Sequence, residues 1–373
     1  MIFSITKKDI SDKLQHIYGV IQSKSIMVVL ANFKIDADNE SNMLTITASD
    51  LNITSIIKIP ANVVEKGSIL VDAKKLCDIT SSMPDALINF QTKENQLVIE
   101  CEKSNIKLSY IESSNFPEIN TVGTGNEYVV DAENFKKLIQ NTVFCTSSEA
   151  SQTIVNGVFL KIEDKLITMA ATDTKRIGEA KCHTESSFES AYQIVLPTRA
   201  LNLLEKAISA EAENIVIKCN DNQISFAMEN ILYISNKFEG KYPDYTVVFK
   251  NQPNYNLVID KNKLKDAVRR VSLLSEDDDK LVKISLGGNE VIIESIISER
   301  GNAKESISSF TYDGPECFFC LNSKFLSGFL NVIESDEVVM SIRSSEEPIW
   351  ILNNVKFDML EIRFIIMPMR ITW

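Results

Sequence analysis

Cys317 and Cys320, in the run PECFFCLNS, have the spacing used for thiol–disulfide exchange or for half of a zinc site. Asp50 and Asp173 end two similar runs, TITASDL and MAATDTK, where a pair of carboxylates would suit hydrolysis by acid–base chemistry. Glu276, Asp277, Asp278 and Asp279 form an acidic run of the kind that can hold a cation. Each of these lacks the rest of its apparatus. The cysteine pair has no second pair and lies in an apolar, strand-like stretch, so it reads as two half-buried strand residues. Two histidines, His16 and His183, are too few for a zinc site or a histidine-based triad. There is no Gly-rich phosphate loop, nucleophile elbow or metal-ligand cluster. The acidic run reads as a solvated loop. No catalytic residue, no metal and no cofactor is expected.

The elements that carry these residues come in threes. LVDAKKLCDI at 70, VLPTRALNLL at 195 and CLNSKFLSGF at 320 share one pattern, an apolar strand end, a helix-opening residue (Asp72, Pro197, Asn322) and then a leucine. The leucines, Leu76, Leu201 and Leu326, share one spacing, which marks an internal repeat. A second column opens each third, where Thr6, Asp131 and Asp260 can cap a helix whose apolar residues recur at helical spacing, as in Ile10, Leu14 and Ile17. A third column closes it with Pro117, Pro243 and Pro368. The boundaries fall at 1–124, 125–252 and 253–373, with Gly-, Asn- and Pro-bearing links near VGTGNEY and KNQPNY.

Between the two helices of each repeat lie alternating runs, such as MLTITASDLNITSIIKI and KISLGGNEVIIESIIS, which read as hairpins. Two more strands follow the second helix. Each repeat is thus two helices on antiparallel sheet, an α+β plan.

Composition and charge narrow the function. The chain is 44% apolar and 24% charged, as in an ordinary globular protein, and its seven scattered cysteines read as reduced thiols. No membrane-length apolar run exists and MIFSITKKDI charges up too early for a secretory leader, so a cytoplasmic protein without membrane contact is expected. A net charge of −12 argues against nucleic acid until its distribution is examined. The expected first helices give +1 for 7–21, 0 for 131–142 and +3 for 260–271, and the second helices 72–82, 197–212 and 322–334 give 0 each. Acid is concentrated on strands and loops, and the helical surface is the least negative. By themselves the residues describe a threefold α+β binding protein.

The threefold period, the run TD-x-x-R at Thr172, Asp173 and Arg176, the GKYPDY segment and the closing IIMPMR together resemble the bacterial DNA polymerase sliding clamp, the β subunit of the DNA polymerase III holoenzyme, over essentially the whole chain. The resemblance implies three clamp domains that close, as a head-to-tail homodimer, into a six-domain ring around duplex DNA. Twelve helices packed at roughly 8 to 10 Å would trace a circumference of ~100 to 120 Å, comparable with what a duplex needs. It implies a non-catalytic processivity factor with a pocket for a short linear motif. The motif would come from the replicative polymerase catalytic subunit, the clamp loader, and repair and translesion polymerases.

Mapped by motif, the pocket would comprise Val155, Thr172, Lys175, Arg176, Ile177, Pro243, Val248, Ile365, Met367, Pro368, Met369 and Arg370. Methionines suit such a surface because they repack around different partners. Lys24, Lys74 and Arg199 fall where clamps place DNA-facing basic residues, and Ile106 and Leu108 on an edge strand would meet Leu273 and Leu274 of a second copy. This chain departs from the family in three places. Thr174 and Lys175 stand where relatives often carry Gly and an aromatic or histidine, Glu149 stands in a loop where polar or aromatic DNA contacts are usual, and Ile371, Thr372 and Trp373 extend the tail. Two readings compete with the clamp: a hydrolase using Asp50 and Asp173, and a repeat scaffold that binds proteins but not DNA.

Overall fold

The computed structural model describes residues 1–22, 27–123, 125–149, 154–185, 187–275, 280–296, 301–353 and 359–370. Lys24, the acidic run 276–279 and the extension Ile371, Thr372 and Trp373 lie outside the described residues. Six α-helices stand among the described residues: α1 (Lys7–Tyr18), α2 (Ala73–Ser82), α3 (Ala132–Gln140), α4 (Thr198–Ala207), α5 (Lys261–Val271) and α6 (Ser323–Val332). None is long and apolar enough to cross a membrane.

The helices begin where the caps require. Thr6 accepts the Asp9 amide, Asp72 that of Lys75, Asp260 that of Lys263, and Asn322 those of Lys324 and Phe325. The repeated leucines are core: Leu76, Leu201 and Leu326 are at most 1% exposed. α1 is shorter than its apolar spacing suggests. It ends at Gly19, where a Cβ would come within 2.7 Å of Leu203 Cδ2, so a larger residue there would have to push that side chain aside.

The chain divides into two compact units that cut across the repeats. One comprises Met1–Glu133 and Arg199–Lys237, the other Asn134–Thr198 and Phe238–Trp373. The first holds a 13-stranded sheet, the second a nine-stranded and a four-stranded sheet, and all recorded strand pairs are antiparallel.

Repeats are joined by one device used twice. In the first unit, the last strand of repeat two, Ile231–Asn236, pairs with Ile53–Pro60 of repeat one, with Leu232 opposite Ile56. In the second unit, the last strand of repeat three, Leu360–Ile366, pairs with Arg176–His183 of repeat two, with Ile365 opposite Ile177. The device leaves one strand of each kind over. The last strand of repeat one, Ser104–Glu112, pairs with Gln96–Cys101 along its first part, and only Tyr110, Ile111 and Glu112 also pair on the other side, with Gly67–Asp72. In repeat three the corresponding receiving strand, Lys304–Ile307, pairs only with Glu290–Ser295 among the described residues. Among the described residues, 104–109 and 304–307 are free edges, each with backbone donors and acceptors unsatisfied by the sheet.

Candidate functional site

The candidate site is built on the turn between the strands Leu166–Thr172 and Arg176–His183. Asp173 forms the turn by accepting the amides of Lys175 and Arg176 at 3.0 Å each, and Thr172 Oγ1 accepts the Thr174 amide at 3.0 Å. Thr174 holds φ at +74°, a left-handed conformation that a β-branched residue adopts at a cost. Glycine would adopt it freely. The Met367 amide donates to the Lys175 carbonyl at 2.9 Å, and the Met369 amide to the Cys320 carbonyl at 2.8 Å. These two bonds pin the segment after Ile366 beside the turn.

Behind the turn lies a buried apolar cluster of Ile177, Trp350 and Ile365, with Tyr245, Val248 and Phe249 packed on it. The last three belong to the 3-10 helix Tyr245–Lys250, whose start is fixed by Asp244 accepting the Thr246 amide. Glu179, only 2% exposed, anchors that helix from below. Its carboxylate receives Arg363 Nε at 2.9 Å and the adjacent guanidinium nitrogen, and the Tyr245 hydroxyl donates to it at 3.3 Å. The Tyr245 hydroxyl is held well above its ordinary pKa, first by burial and then by the Glu179 charge, and so remains a donor. The guanidinium of Arg363 covers the Phe249 ring at 4.3 Å.

The predicted pocket residues are brought together in part. Ile177 and Ile365 are cross-strand neighbours and form the floor rather than an open wall, since Ile365 is wholly buried. Val248 packs on that floor, and Met367 stands 37% exposed above it. Arg176 is committed to the structure: its Nε donates to Asp173 Oδ2 at 2.9 Å, and its guanidinium lies 4.3 Å over the Phe325 ring. Lys175 and Pro243 are exposed, Pro368 and Met369 half-buried. Arg370 is exposed and pairs with Glu346 at 2.9 Å. Thr172 donates its amide to the Tyr242 hydroxyl at 3.1 Å. Val155 is buried on the turn Ile154–Asn156, outside the cluster.

Sequence reasoning missed Val247, Asn251, Arg343, Glu347 and Pro348, which with Val248 and Met367 bound a recess of about 190 Å³. It also missed the aromatic floor of Tyr245, Phe249 and Trp350. Tyr245 lies within the quoted KYPDY segment, so extending that segment by four residues would have found the 3-10 helix. No local signal connects it to Arg343 or Trp350.

The remaining candidates separate cleanly. Lys74 is exposed, with no ion-pair partner among the described residues. Arg199 is instead built into the first unit: it pairs with Asp50, whose side chain is 5% exposed, and donates to the carbonyls of Gly19 at 2.9 Å and Val20 at 2.6 Å. Those carbonyls lie just past the C-terminus of α1, where a cation is favoured. Leu273 is 78% exposed, Leu274 and Ile106 half-buried, and Leu108 9% exposed. Glu149 is exposed.

Chemistry finds no purchase at the other candidates. Asp50 accepts the amides of Asn52 at 2.9 Å and Ile53 at 2.7 Å, the Gln22 side chain at 2.8 Å and Arg199. Like Asp173, it is a turn-former whose lone pairs are in use, which leaves it a poor general base. Cys317 and Cys320 are strand residues, half-buried and buried, and burial pushes the Cys320 thiol up. No group of three or more metal-ligating side chains occurs among the described residues.

Comparison with known proteins places the whole chain. Residues 1–120 match the DNA polymerase III beta subunit, N-terminal domain, residues 129–244 its central domain and residues 246–370 its C-terminal domain. The beta sliding clamp of Staphylococcus epidermidis is 28% identical over 358 residues, and that of Bacillus subtilis 25% over 357, each alignment covering 93% of this chain and 94% of the relative. In fold it is similar to the crystal structures of the DNA polymerase beta subunit of Streptococcus pyogenes (TM-score 0.93, 24% identity) and the sliding clamp of Bacillus subtilis (TM-score 0.92, 23% identity), over 100% of each chain. With all three family domains matched in order over nearly its full length, the chain belongs to the DNA polymerase III beta subunit family, the bacterial sliding clamps.

Proposed function

We propose that two copies of this chain close head-to-tail into a ring around duplex DNA, and that the surface at Met367 and Val248 tethers the replicative polymerase to it. The protein is a sliding clamp, a processivity factor rather than an enzyme, and its work is topological. The observation that carries the ring is the pair of free edges. Twice within the chain, the last strand of one repeat completes the receiving strand of the repeat before it. Among the described residues only 104–109 and 304–307 are left without that partner, and the same pairing between copies would satisfy both. Such a contact is heterologous and stays finite by closing. Leu273 and the half-buried Ile106 and Leu274 would then be covered, as an exposed leucine beside a free edge requires.

The charge of the helices supports DNA inside such a ring. Within their observed limits all six are net positive, +1 on each of α1, α2, α3, α4 and α6 and +4 on α5, in a chain of −12. The weak positive surface would hold phosphates loosely enough to slide, and linkage around the strand would supply persistence. On this reading Lys74 faces the duplex, whereas Arg199 secures the end of α1. The domain limits 1–124, 125–252 and 253–373 would be the units repeated around the ring, and the clamp loader and repair and translesion polymerases would share the peptide surface. A cytoplasmic location fits that work.

Retention on nicked circular against linearised DNA, measured with the mass in solution, tests the proposal. A dimer that stays on the circle after loading and runs off the linear form is expected. Equal loss from both, or a strict monomer, would overturn it. Capture of the replicative polymerase subunit on immobilised clamp, lost on Met367→Asp, tests the tethering surface separately.

A further inference from the structure

Two free edges can join in several registers, and the internal junctions show which one the repeats use. From the helix caps Thr6, Asp131 and Asp260, the paired strands run in the same steps to Ile106, Tyr233 and Phe364, one position on the last strand of each repeat. From the helix-opening Asp72, Pro197 and Asn322 they run in the same steps to Ser55, Gly178 and Ala303, one position on the three receiving strands. The two paths are independent, and they meet: Tyr233 lies opposite Ser55, and Phe364 opposite Gly178. At each junction a large residue covers a small one, and all four are buried. Ile106 and Ala303 keep the same size relation but are only half-buried.

We propose that the contact between copies takes the register of the internal junctions, with Ile106 of one copy seated on Ala303 of the other, and that this large-on-small pair fixes the register. The inference rests on the head-to-tail reading and deepens it by naming the residues that meet. The backbone agrees. The Tyr110 amide donates to the Asn95 carbonyl at 3.5 Å, so alternate residues of that strand, Ile106 among them, turn inward, and Asn105 and Lys107 point their amides and carbonyls outward. Ala303 accepts the Ser295 amide at 2.9 Å and donates its own amide to the Ser295 hydroxyl at 2.8 Å, so it turns inward and Lys304 points outward. Seating Ile106 on Ala303 therefore brings Asn105 opposite Lys304, with outward groups facing each other. A slip of one residue would set outward groups against inward ones and turn every side chain to the other face. A slip of two keeps the hydrogen bonds but sets Ile106 against Gly301 or Glu305. Glu305 is large and held by Arg270 at 2.7 Å, and Gly301 has φ +118°, outside the extended range a ladder needs.

The full-length chain carrying Ile106→Cys and Ala303→Cys, oxidised with diamide, tests the register by disulfide formation. Opposed residues of a non-hydrogen-bonded antiparallel pair have Cα atoms about 4.5 Å apart, within disulfide reach, whereas diagonal neighbours lie about 7 to 8 Å apart and beyond it. A covalent dimer on a non-reducing gel is expected from this variant. The displaced pair, Ile106→Cys with Glu305→Cys, and each single cysteine should run as monomers, and the single variants also control for the native thiols. In sedimentation equilibrium Ala303→Ile should raise the dimer dissociation constant by about tenfold or more, and the exchange of Ile106→Ala with Ala303→Ile should recover most of that loss. Linking of the displaced pair as readily as the opposed one, or Ala303→Ile without effect on the dimer, would overturn the inference. If the chain is a dimer by mass while the opposed pair does not link, the register fails alone; if it is a monomer by mass, the ring reading fails with it.

Discussion

Leu273→Ala should break the ring without damaging the protein that forms it. Leu273 is 78% exposed on the 3-10 turn Ser272–Leu274, so its truncation removes little from the folded chain itself. In a head-to-tail dimer it would be covered by the partner. At about 0.8 kcal/mol for each buried methylene-sized group, the three carbons lost on going to alanine are worth about 2 kcal/mol once the fraction already covered is discounted. A closed ring of two copies has two identical contacts, so the dimer loses about 4 kcal/mol, and its dissociation constant rises by nearly a factor of ~1,000. Sedimentation equilibrium across a wide concentration range measures this directly, with urea unfolding of the monomer as the companion. A dissociation constant changed by less than threefold would refute the assignment of Leu273 to the contact. An equal loss in the unfolding experiment would show that its work is within the chain instead. Leu108, only 9% exposed, makes the contrast: Leu108→Ala should lower monomer stability as well, by about 2 kcal/mol or more.

Other expectations follow from the same geometry. Arg199→Ala should destabilise the fold by about 2 kcal/mol, because it strands the nearly buried Asp50 carboxylate, whereas Lys74→Ala should leave urea unfolding unchanged and reduce the salt dependence of DNA retention. Equal effects of the two substitutions would contradict the division of roles. Thr174→Gly should raise stability by about 0.5 to 1 kcal/mol, the relief of a β-branched residue at φ +74° outweighing the added freedom of the unfolded chain; a loss in the same assay would show that Thr174 is not strained. The Cys77 thiol is pushed up to about 12, chiefly by burial. Its contribution to stability should therefore be whole below about pH 9 and be lost as pH rises towards 12, since the unfolded chain releases that proton first. Thiol alkylation of Cys77 at pH 9 should require denaturant, and labelling of the native protein as fast as of the unfolded chain would refute the burial argument.

The repeat and the elements were legible because they depend on local chemistry. A cap such as Asp260 acts within one turn, the leucine column marks a helix face wherever it occurs, and the alternation in MLTITAS sets which side of a strand is buried. The motif residues around Asp173 were legible for the same reason, since an aspartate accepting amides two and three residues on makes a turn by itself. The roles of single charges were not. Arg199 looks like any solvated cation in sequence, and only the approach of Asp50, Gly19 and Val20 from elsewhere in the chain turns it into a structural clasp. Arg176 is similarly spoken for by Asp173 and by the Phe325 ring, which is 149 residues away.

The sequence by itself determined two things: that the protein is a threefold array of α+β repeats, and that its acid is concentrated off the helices. These follow from periodicity and composition, which need no knowledge of distant contacts. The tertiary structure alone decided which strand edges are used and which are left free, because pairing is settled by segments more than a hundred residues apart, such as Ile231–Asn236 on Ile53–Pro60. It alone also decided that Ile365 is floor while Met367 is surface. Both lie in one apolar run, but Ile365 is still in the strand that pairs across to Ile177, and Met367 lies beyond its end, where no strand among the described residues covers it.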